Sequence, residues 1–575
     1  MPVANSAASA VSGSLPKWQL ALAVGAPVAL GLGYMYYKNS SQGKSKGPGK
    51  ANGTATDKQI SIDGDSPGKN SRADKLETPA ARAQRYKAQG NQAFIARKYD
   101  DAILYYNKAI EACPLENKDE LAKIYQNRAA AYDALEKFTA VKEDCTKALE
   151  LNPKYTKALI RRAKVLEKNN ELELALEDVT AACILERFTN QSALLTADRV
   201  LKQLGKQHAQ ELMTTKKPVM PSKHFIKTYF SSFRNDPVLS VEAIDSMDKY
   251  AGPGLTNAVE AFKGEKYDDI ISICTAEIEK SDIDVPDKMK LLLLRGTFYL
   301  LLGQHEKAMD DLDAVISDKN ESASREVRVN ALIKRATMHM QLENPSQCFK
   351  DFERALATDP DCGDIYHHRG QVNLLLENVN EAREDSEKAL KLNPQFGIAY
   401  AQKCYTDYRH AAMSRMPSLV ESAMENFEKS FELFPDCCEC YTLYAQMLCD
   451  AQSYERADEY FAKAIDKDPK NATIYVHRGL LQLQWCGNVV KAMEYINKAL
   501  ELDDKCEFGY ETLGTIEVQR GNLKEAIKLF DKALSLARTG LELTHIFSLQ
   551  DAAKAQLKIG ERLGADFMFG ISGMS

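Results

Sequence analysis

The sequence predicts an all-α protein, a solenoid of stacked helix pairs behind one membrane-spanning helix. Three observations carry this prediction: a recurring spacing of small and bulky residues, a proline at the end of many repeats, and one long uncharged run near the N-terminus. The spacing is clearest in residues 83–116. Its small residues, which let two helices approach closely, are Gly90, Ala102 and Ala109. Pro114 then ends the second helix, because its ring removes an N–H and clashes with the preceding turn.

The uncharged run covers residues 18–37. At about 1.5 Å per residue, a helix of this length spans the roughly 30 Å hydrocarbon core of a bilayer. Aromatic residues stand at both edges, as in an interfacial belt; they are Trp18, Tyr34, Tyr36 and Tyr37. A secretory signal peptide fits poorly, because the run is long for one and the residues before it are not basic.

Lysines flank this span unevenly. Lys17 alone precedes it, whereas four lysines follow it within residues 38–50. The positive-inside rule therefore places residues 1–17 across the membrane and the bulk of the chain in the cytosol. The modest hydrophobicity of the span is compatible with the mitochondrial outer membrane, but sequence physics alone does not fix the organelle. Residues 38–80 are polar and rich in Gly, Ser and Lys, which predicts a flexible linker.

The recurring spacing of about 34 residues is that of the tetratricopeptide repeat (TPR), a helix–turn–helix unit. One such unit cannot bury its own apolar face and must stack on its neighbours. Three units in register are predicted in residues 81–190. Arg187 stands where Pro114 and Pro153 end the first two units, so the last helix of this block is free to run on.

A second block of repeats follows a connection. Residues 191–250 are predicted to form a long helix and then a proline-rich junction, whose aromatic side chains are assigned to packing. Eight further repeats are predicted in residues 251–540, one of them lengthened near residues 409–417, which brings the total to about eleven. A capping helix and tail in residues 541–575 end the solenoid, since a terminal repeat needs a polar outer cover.

Five polar residues recur at matched positions on the first helices of the three N-terminal repeats. They are Lys87, Asn91, Asn127, Lys157 and Arg161. The first helix of each repeat lines the concave face of a TPR stack, so these side chains are expected to converge there. Lysine supplies a point charge, arginine a planar fork and asparagine an orienting amide, a set that suits carboxylates. Solvated lysines on an amphipathic helix are the alternative, which five matched positions disfavour.

No second set of this kind appears in residues 251–540. The first helices there carry aromatic and amide groups with few charges, which suits a peptide segment of variable sequence. The candidate preprotein-binding residues are Gln402, Tyr405, Tyr408, Tyr444, Gln446 and His477. Packing residues or scattered surface groups are an equally open interpretation of each one taken singly.

Other chemistry is not indicated. The net charge of −6 argues against a nucleic-acid binder. The 13 cysteines fall at small-residue repeat positions, which indicates free thiols in a reducing compartment. Cys437, Cys438 and Cys440 lack a second Cys/His pair at zinc spacing, so a repeat junction is preferred to a metal site. His367 and His368 are adjacent on a helix and point apart. No catalytic motif, cofactor or metal is predicted.

The five-residue set is similar to the two-carboxylate clamp of chaperone-binding TPR domains. Such clamps hold the C-terminal EEVD sequence of the seventy- and ninety-kilodalton heat-shock chaperones. The resemblance implies that Lys87, Asn91, Asn127, Lys157 and Arg161 bind the side-chain and main-chain carboxylates of the terminal aspartate.

The order of anchor, linker, clamp block, junction and second repeat block resembles the TPR import receptors of the mitochondrial outer-membrane translocase, the TOM complex. The resemblance covers nearly the whole chain and is sharpest at residues 18–37, the five clamp positions and residues 157–163. It implies a single-pass receptor with residues 1–17 in the intermembrane space. Such a receptor docks chaperones, contacts other TOM subunits and binds preproteins with internal targeting signals, such as metabolite carriers.

Two other functions compete with this one. A membrane-anchored chaperone adaptor on another organelle would share the clamp, but a different anchor and fewer repeats would be expected. An enzyme targeted by TPRs, such as a peptidyl-prolyl isomerase or a glycosyltransferase, would need a catalytic domain outside the repeats. Residues 251–540 are repeats throughout, which leaves no room for one.

Overall fold

The computed structural model describes residues 77–239, 253–318 and 322–564. Within those ranges the regular structure is helical and contains no strand. The first helices are α1 (Pro79–Ile95), α2 (Tyr99–Ala112), α3 (Lys118–Ala134), α4 (Phe138–Leu151), α5 (Thr156–Lys168), α6 (Leu172–Leu185), α7 (Gln191–Thr215), α8 (Lys223–Ser231), α9 (Pro253–Lys263), α10 (Ile270–Ile278), α11 (Val285–Leu301) and α12 (His305–Ile316). A 3₁₀ turn, Tyr267–Asp269, precedes α10.

The remaining helices continue the same alternation of first and second helices. They are α13 (Arg325–Gln341), α14 (Pro345–Thr358), α15 (Gly363–Leu375), α16 (Val379–Leu392), α17 (Gly397–Ser414), α18 (Pro417–Leu433), α19 (Cys438–Asp450), α20 (Tyr454–Lys467), α21 (Ala472–Cys486), α22 (Val489–Leu502), α23 (Glu507–Gln519), α24 (Leu523–Leu536) and α25 (Gly540–Leu563). The all-helical TPR solenoid predicted from the spacing is confirmed. The extra residues near 409–417 lengthen α17 to 18 residues rather than forming a long loop.

The described chain divides into two compact units. The N-terminal unit consists of described residues 77–204 together with 551–564, and the C-terminal unit consists of described residues from 205 to 550. The division falls inside α7 and inside α25, so each of these helices contributes one part to each unit.

Close approach of α1 and α2 in the N-terminal unit depends on the glycine that the spacing singled out. A Cβ atom on Gly90 would lie 2.6 Å from the ring of Tyr106, which is itself 2% exposed. Farther along this unit, Ala555 and Ile559 of α25 are buried in the apolar clusters formed by α5, α6 and α7. The last described residues therefore complete the core of the first repeats.

The junction aromatics pack inside the C-terminal unit, as predicted. Tyr229, Phe230 and Phe233 are buried, and the Phe230 ring meets that of Phe262 at 5.0 Å. The Asp364 carboxylate accepts hydrogen bonds from the backbone N–H groups of Arg234 and Asn235 at 3.1 and 3.0 Å. These contacts tie residues 222–239 to the first helices of the repeats that follow.

An ion pair between an arginine and a buried aspartate joins the two helices of many repeats. Each pair links an arginine, placed just before the small residue of the first helix, to an aspartate sixteen residues later. The pairs are Arg128–Asp144, Arg162–Asp178, Arg295–Asp311, Arg335–Asp351 and Arg369–Asp385. The guanidinium donates through two nitrogens to both carboxylate oxygens, the bidentate geometry that adds direction as well as energy. Sequence spacing alone did not single out these bridges.

The expectation that the last helix of the first block runs past Arg187 is wrong. The helix ends at Leu185, and Arg187 and Phe188 both adopt positive φ, at 50° and 58°. The Phe188 N–H then donates to the Cys183 carbonyl at 2.8 Å. Helix-terminating backbone hydrogen bonds thus stop α6 without a proline.

The predicted membrane span at residues 18–37 lies outside the described residues, as do residues 38–76 of the predicted linker. Residues 77–80 are described, and α1 begins at Pro79, so the boundary predicted at residue 80 is two residues too late. Among the residues that are described, no helix is both long enough and apolar enough to cross a bilayer.

Candidate functional site

The five predicted clamp residues lie on the first helices of three successive repeats in the N-terminal unit. Lys87 and Asn91 are on α1, Asn127 is on α3, and Lys157 and Arg161 are on α5. Within α1 and α5 the two residues are four apart and so share one helix face. Except for Lys157, which is exposed, they are partly buried. Packing of α3 between its neighbours brings the three helices together.

The two asparagines are in direct contact. Asn91 Oδ1 accepts hydrogen bonds from Asn127 Nδ2 at 3.0 Å and from the Tyr106 hydroxyl at 2.8 Å. This arrangement fixes the orientation of the Asn91 amide, with its nitrogen left to donate. Tyr106 therefore has two tasks, since its ring fills the space beside Gly90 and its hydroxyl orients a clamp residue.

Arg161 reaches α3 from the other side. Its Nη1 donates to the backbone carbonyl of Gln126 at 3.4 Å, and its Nε donates to Asp133 at 3.4 Å. Both contacts are long for charge-assisted hydrogen bonds, which are usually near 2.7–2.9 Å. The side chain is 24% exposed. Its guanidinium is thus held beside Asn127 without being saturated.

Lys87 pairs with a carboxylate that sequence reasoning missed. The Lys87 Nζ forms a short ion pair with Glu120 of α3, and both side chains are less than 20% exposed. Glu120 precedes Asn127 by seven residues, two helical turns on the same face. That spacing was the available signal. A carboxylate inside the chain therefore meets one of the cations that the clamp would offer to a ligand.

Lys157 stands apart from these contacts. Its side chain is exposed, and no hydrogen bond or ion pair joins it to the described residues. It lies one turn before Arg161 on α5, so its ammonium group can add charge at the same face. The structure thus links Lys87, Asn91, Asn127 and Arg161 through α3, with Lys157 beside them.

The six residues predicted for the C-terminal unit are placed differently from expectation. Gln402, Tyr405 and Tyr408 are on α17, Tyr444 and Gln446 on α19, and His477 on α21. Each is 7% exposed or less. The structure therefore buries side chains that were expected to line an open groove, because successive first helices close on one another. A role for them in binding preproteins remains a prediction.

Several of the six already have partners in the chain. Gln402 Oε1 accepts from Gln371 at 3.1 Å. The Tyr444 hydroxyl donates to Glu428 at 2.8 Å and accepts from Arg456 at 2.9 Å. The contact of Gln402 joins two first helices, α15 and α17, whereas the contacts of Tyr444 join the first helix α19 to the second helices α18 and α20.

Two charged residues that sequence reasoning missed accompany this group, the buried Arg409 and the partly buried Asp450. Arg409 follows Tyr405 by one turn on α17, and Asp450 follows Gln446 by one turn on α19. Neither carboxylate oxygen of Asp450 and neither amide atom of Gln446 has a hydrogen-bond partner among the described residues. Burial raises the pKa of Asp450 to about 7, although the nearby Arg409 acts in the opposite direction. Polar groups of this kind are rarely left unpaired in folded proteins.

The fold and these sites define the class of protein. Models of the tetratricopeptide repeat match residues 122–155, 363–396 and 509–539, and a second tetratricopeptide repeat model matches residues 445–505. The chain is thus a TPR protein with a polar site on the first helices of its N-terminal unit.

Comparison with curated proteins narrows this class. The chain is 45% identical over 574 residues to the mitochondrial import receptor subunit TOM70 of Homo sapiens, covering 96% of this chain and 94% of that protein. It is 28% identical over 518 residues to TOM70 of Saccharomyces cerevisiae, covering 82% of this chain and 80% of that protein. The crystal structure of yeast Tom70 matches at 25% identity with a TM-score of 0.48, over 83% of this chain and 96% of that one. The chain belongs to the TOM70 family of mitochondrial import receptor subunits.

Proposed function

We propose that this import receptor docks cytosolic heat-shock chaperones of the seventy- and ninety-kilodalton classes through Lys87, Asn91, Asn127, Lys157 and Arg161. The ligand is the C-terminal EEVD sequence of the chaperone. Its terminal aspartate carries two adjacent carboxylates, a side chain and a main-chain terminus. Three cations and two amides on three neighbouring helices match that pair of charges.

The observation that supports this proposal is that contacts to α3 link four of the five residues across α1, α3 and α5, with Lys157 one turn from Arg161. Asn91 contacts Asn127 directly, and Arg161 contacts the carbonyl of the residue before Asn127. Side chains scattered over a solvated surface would not be joined in this way. The long contacts of Arg161 leave its planar fork able to turn toward a stronger carboxylate partner.

The second part of the proposal concerns the C-terminal unit, which receives preproteins with internal targeting signals, such as metabolite carriers. The unpaired polar atoms of Gln446 and Asp450 support it, because a polypeptide segment supplies both donors and acceptors. Their burial implies that the first helices α17 and α19 must separate before a segment can enter. Transfer to the import pore then involves other subunits of the TOM complex.

The proposed location is the mitochondrial outer membrane, with the bulk of the chain in the cytosol. Family membership supports this location over an adaptor on another organelle, since the relatives are mitochondrial import receptor subunits. Fusing residues 1–60 to a fluorescent protein and imaging cells tests it, with residues 38–60 alone as the control. Targeting to another membrane would contradict the proposal.

The direct test of the clamp is Arg161→Ala in the full chain, titrated with a peptide ending in EEVD. Loss of a charge-assisted contact is expected to cost about 1.5–3 kcal/mol, a fall in affinity of roughly ten- to hundredfold. Calorimetry measures the affinity, and far-ultraviolet circular dichroism checks that the helical fold is intact.

Lys164→Ala is the matched control. Lys164 is an exposed cation on the same helix, outside the five clamp positions. The control is expected to bind like the wild type. Equal affinity for the wild type and the Arg161 variant would contradict the clamp, as would equal losses in both variants.

A further inference from the structure

The start of α19 brings two cysteines into the spacing of a redox-active dithiol. Cys437 is the N-cap residue of this helix and Cys440 is its third residue. The Cys440 N–H donates to the Cys437 carbonyl at 3.1 Å, so the four residues form a tight turn. Such a turn holds its first and last Cα atoms within about 7 Å, and disulfides bridge Cα atoms about 4.4–6.8 Å apart.

The two thiols face the same neighbour. Cys440 Sγ lies 3.9 Å from the carbonyl oxygen of Gly397, the first residue of α17. A Cβ atom on Gly397 would lie 3.0 Å from Cys437 Sγ. Both sulfur atoms are therefore directed at one spot on the preceding repeat.

The intervening cysteine is directed elsewhere. Cys438 Sγ lies 3.5 Å from the carbonyl oxygen of Ala464 and 3.8 Å from the Thr442 hydroxyl. These groups belong to α20 and to the next turn of α19. Cys438 thus provides a matched control for any chemistry of its two neighbours.

We propose that Cys437 and Cys440 form a reversible intramolecular disulfide, a thiol–disulfide site at the first turn of α19. Cys437 is partly exposed, whereas Cys440 is buried with 0% exposure. Cys437 is therefore the residue that an oxidant reaches, and Cys440 is the residue that resolves the intermediate. The oxidant is a small-molecule disulfide such as glutathione disulfide.

The reaction is ordinary thiol–disulfide exchange. The Cys437 thiol gives its proton to solvent, and its thiolate attacks one sulfur of glutathione disulfide. A mixed disulfide forms, and one glutathione leaves as a thiolate that takes up a proton. The Cys440 thiol then loses its proton and attacks the Cys437 sulfur, which expels the second glutathione. Two protein thiols are oxidised to one disulfide, and one glutathione disulfide is reduced to two glutathiones.

The reduced pair is protected against rapid oxidation. Contact with the Cys440 thiol, together with burial, raises the pKa of the Cys437 thiol. Little thiolate is present near neutral pH, and the thiolate is the reactive form. Exchange is therefore expected to be slow at pH 7 and faster at pH 8.5, so the test must be run to equilibrium.

The disulfide would act on a helix that also carries Tyr444 and Gln446, two of the residues predicted to bind preproteins. The proposal itself goes beyond receptor function and does not depend on it, because its test needs neither a chaperone nor a preprotein.

The experiment equilibrates the full chain in buffers of increasing ratio of glutathione disulfide to glutathione. Samples are quenched with acid, denatured and alkylated, and mass spectrometry counts the alkylated thiols. The wild type and Cys438→Ser are expected to lose two alkylatable thiols over the same range of ratios. Cys437→Ser and Cys440→Ser are not expected to lose two alkylatable thiols over this range. In the wild type, excess glutathione is expected to restore the two thiols.

Two results would overturn the proposal. One is a wild type that keeps all of its thiols at the most oxidising ratio. The other is a Cys437→Ser variant that still loses two alkylatable thiols, which would assign the disulfide to different cysteines, such as the buried Cys404. Fragmentation of the oxidised wild-type peptide that spans residues 430–456 provides a reading that needs no variant, since a bridge from Cys437 to Cys440 blocks cleavage between them.

Discussion

Two neighbouring arginines on α5 have different tasks. Arg162 donates to both carboxylate oxygens of the buried Asp178, at 2.6 and 2.8 Å, and joins two helices. Arg161, within the described residues, makes two long contacts to α3. A guanidinium already paired at short distance has little to offer a ligand, whereas a loosely held one can turn toward it. The side chain free for recognition is therefore Arg161.

Replacing Glu120 tests whether its ion pair with Lys87 competes with the ligand for this lysine. We expect Glu120→Gln to raise the affinity for a peptide ending in EEVD. The change removes a carboxylate that competes for Lys87 and repels the incoming charge. The gain should be about 0.5–1 kcal/mol, or roughly two- to fivefold, the range of partly exposed ion pairs. Titration at two salt concentrations measures it.

The matched control is Asp119→Asn. Asp119 is the exposed neighbour of Glu120 and accepts a hydrogen bond from Asn152 rather than meeting Lys87. Its replacement should leave the affinity nearly unchanged. Weaker binding by the Glu120 variant would show instead that this carboxylate positions Lys87 for the ligand.

Sequence spacing was sufficient to place the clamp residues on three first helices, because a repeat carries each matched position to the same helix face. It was not sufficient for Glu120, whose contact with Lys87 depends on the side-chain path between α1 and α3. It also did not predict that Tyr405 and Gln446 are buried. Their residue types suggest an open polar groove, but the closeness of α17 and α19 buries them, and closeness of this kind is not encoded in spacing.

At the scale of helix pairs, the bridges between arginine and aspartate matter most. Arg335 donates to Asp351 at 2.7 and 2.5 Å, and these side chains are 11% and 5% exposed. We expect Arg335→Ala to destabilise the C-terminal unit by about 3–5 kcal/mol, because it leaves the Asp351 carboxylate buried without its main partner. Urea unfolding followed by circular dichroism measures the loss.

Arg354→Ala is a control that touches the same carboxylate. Arg354 lies 3.6 Å from Asp351 but is 52% exposed, so its removal should cost no more than about 1 kcal/mol. Equal costs for the two variants would show that the bridge contributes little beyond surface electrostatics. Hydrogen exchange should locate the effect of Arg335→Ala in α13 and α14.

The existence of the helices was predictable from the recurrence of small residues, while their ends were less so. Proline marks the end of α2 through Pro114, but α6 ends at Leu185 by adopting positive φ at Arg187 and Phe188. Neither residue is a glycine, the residue type that usually marks a helix end with positive φ, so the sequence did not predict this end. The bridges did leave a trace in the sequence, an arginine before the small residue and an aspartate sixteen residues on.

For the whole molecule, buried histidines predict sensitivity to acid. Burial lowers the pKa of His477 to about 3 and that of His367 to about 4. An unfolded histidine gains its proton near pH 6.5, whereas the folded ones stay neutral until much lower pH. Stability is therefore lost as the pH falls below about 6.5, by about 1.4 kcal/mol per pH unit for each such histidine.

The substitution His477→Gln measures how much of the acid-induced loss of stability comes from His477. Between pH 7.5 and pH 5 the variant should lose about 2 kcal/mol less stability than the wild type, each protein being referred to its own value at pH 7.5. Urea titrations at a series of pH values provide the comparison. Parallel pH profiles for the two proteins would contradict the burial of a neutral imidazole at this position.

The composition of the N-terminal unit leads to a prediction about the far end of the chain. Ile559 is 1% exposed and packs among residues of α5 and α6, including Leu159 and Ile184. We expect Ile559→Ala to destabilise this unit by about 2–5 kcal/mol through the cavity it leaves. Hydrogen exchange should report faster opening of α5 and α6, although the substitution lies some four hundred residues later in the chain.

Lys558→Ala is the control for this prediction. Lys558 pairs with Glu177 at 2.9 Å and is 56% exposed, so its loss should cost about 1 kcal/mol or less. Unchanged protection of α5 and α6 in the Ile559 variant would contradict the assignment of residues 551–564 to the N-terminal unit.

The capping helix itself was predictable, because a solenoid needs one and its apolar residues recur with helical period. The division of this helix between the two units was not predictable from the sequence. The sequence predicts a capping helix and tail in residues 541–575, but nothing in the local pattern says that Ala555 and Ile559 pack with α5, α6 and α7. Contacts across such a separation depend on how the repeats curve.

This returning segment has a consequence for biosynthesis. Ribosomes add residues in order, at about 5–20 per second, so α5 and α6 leave the exit tunnel long before Ile559 is made. Throughout that delay the apolar surface around Leu159 lacks the contact that Ile559 of α25 makes with it in the folded chain. Apolar surfaces that stay exposed on a nascent chain bind molecular chaperones. A receptor proposed to take cargo from chaperones would thus begin its own life as their client.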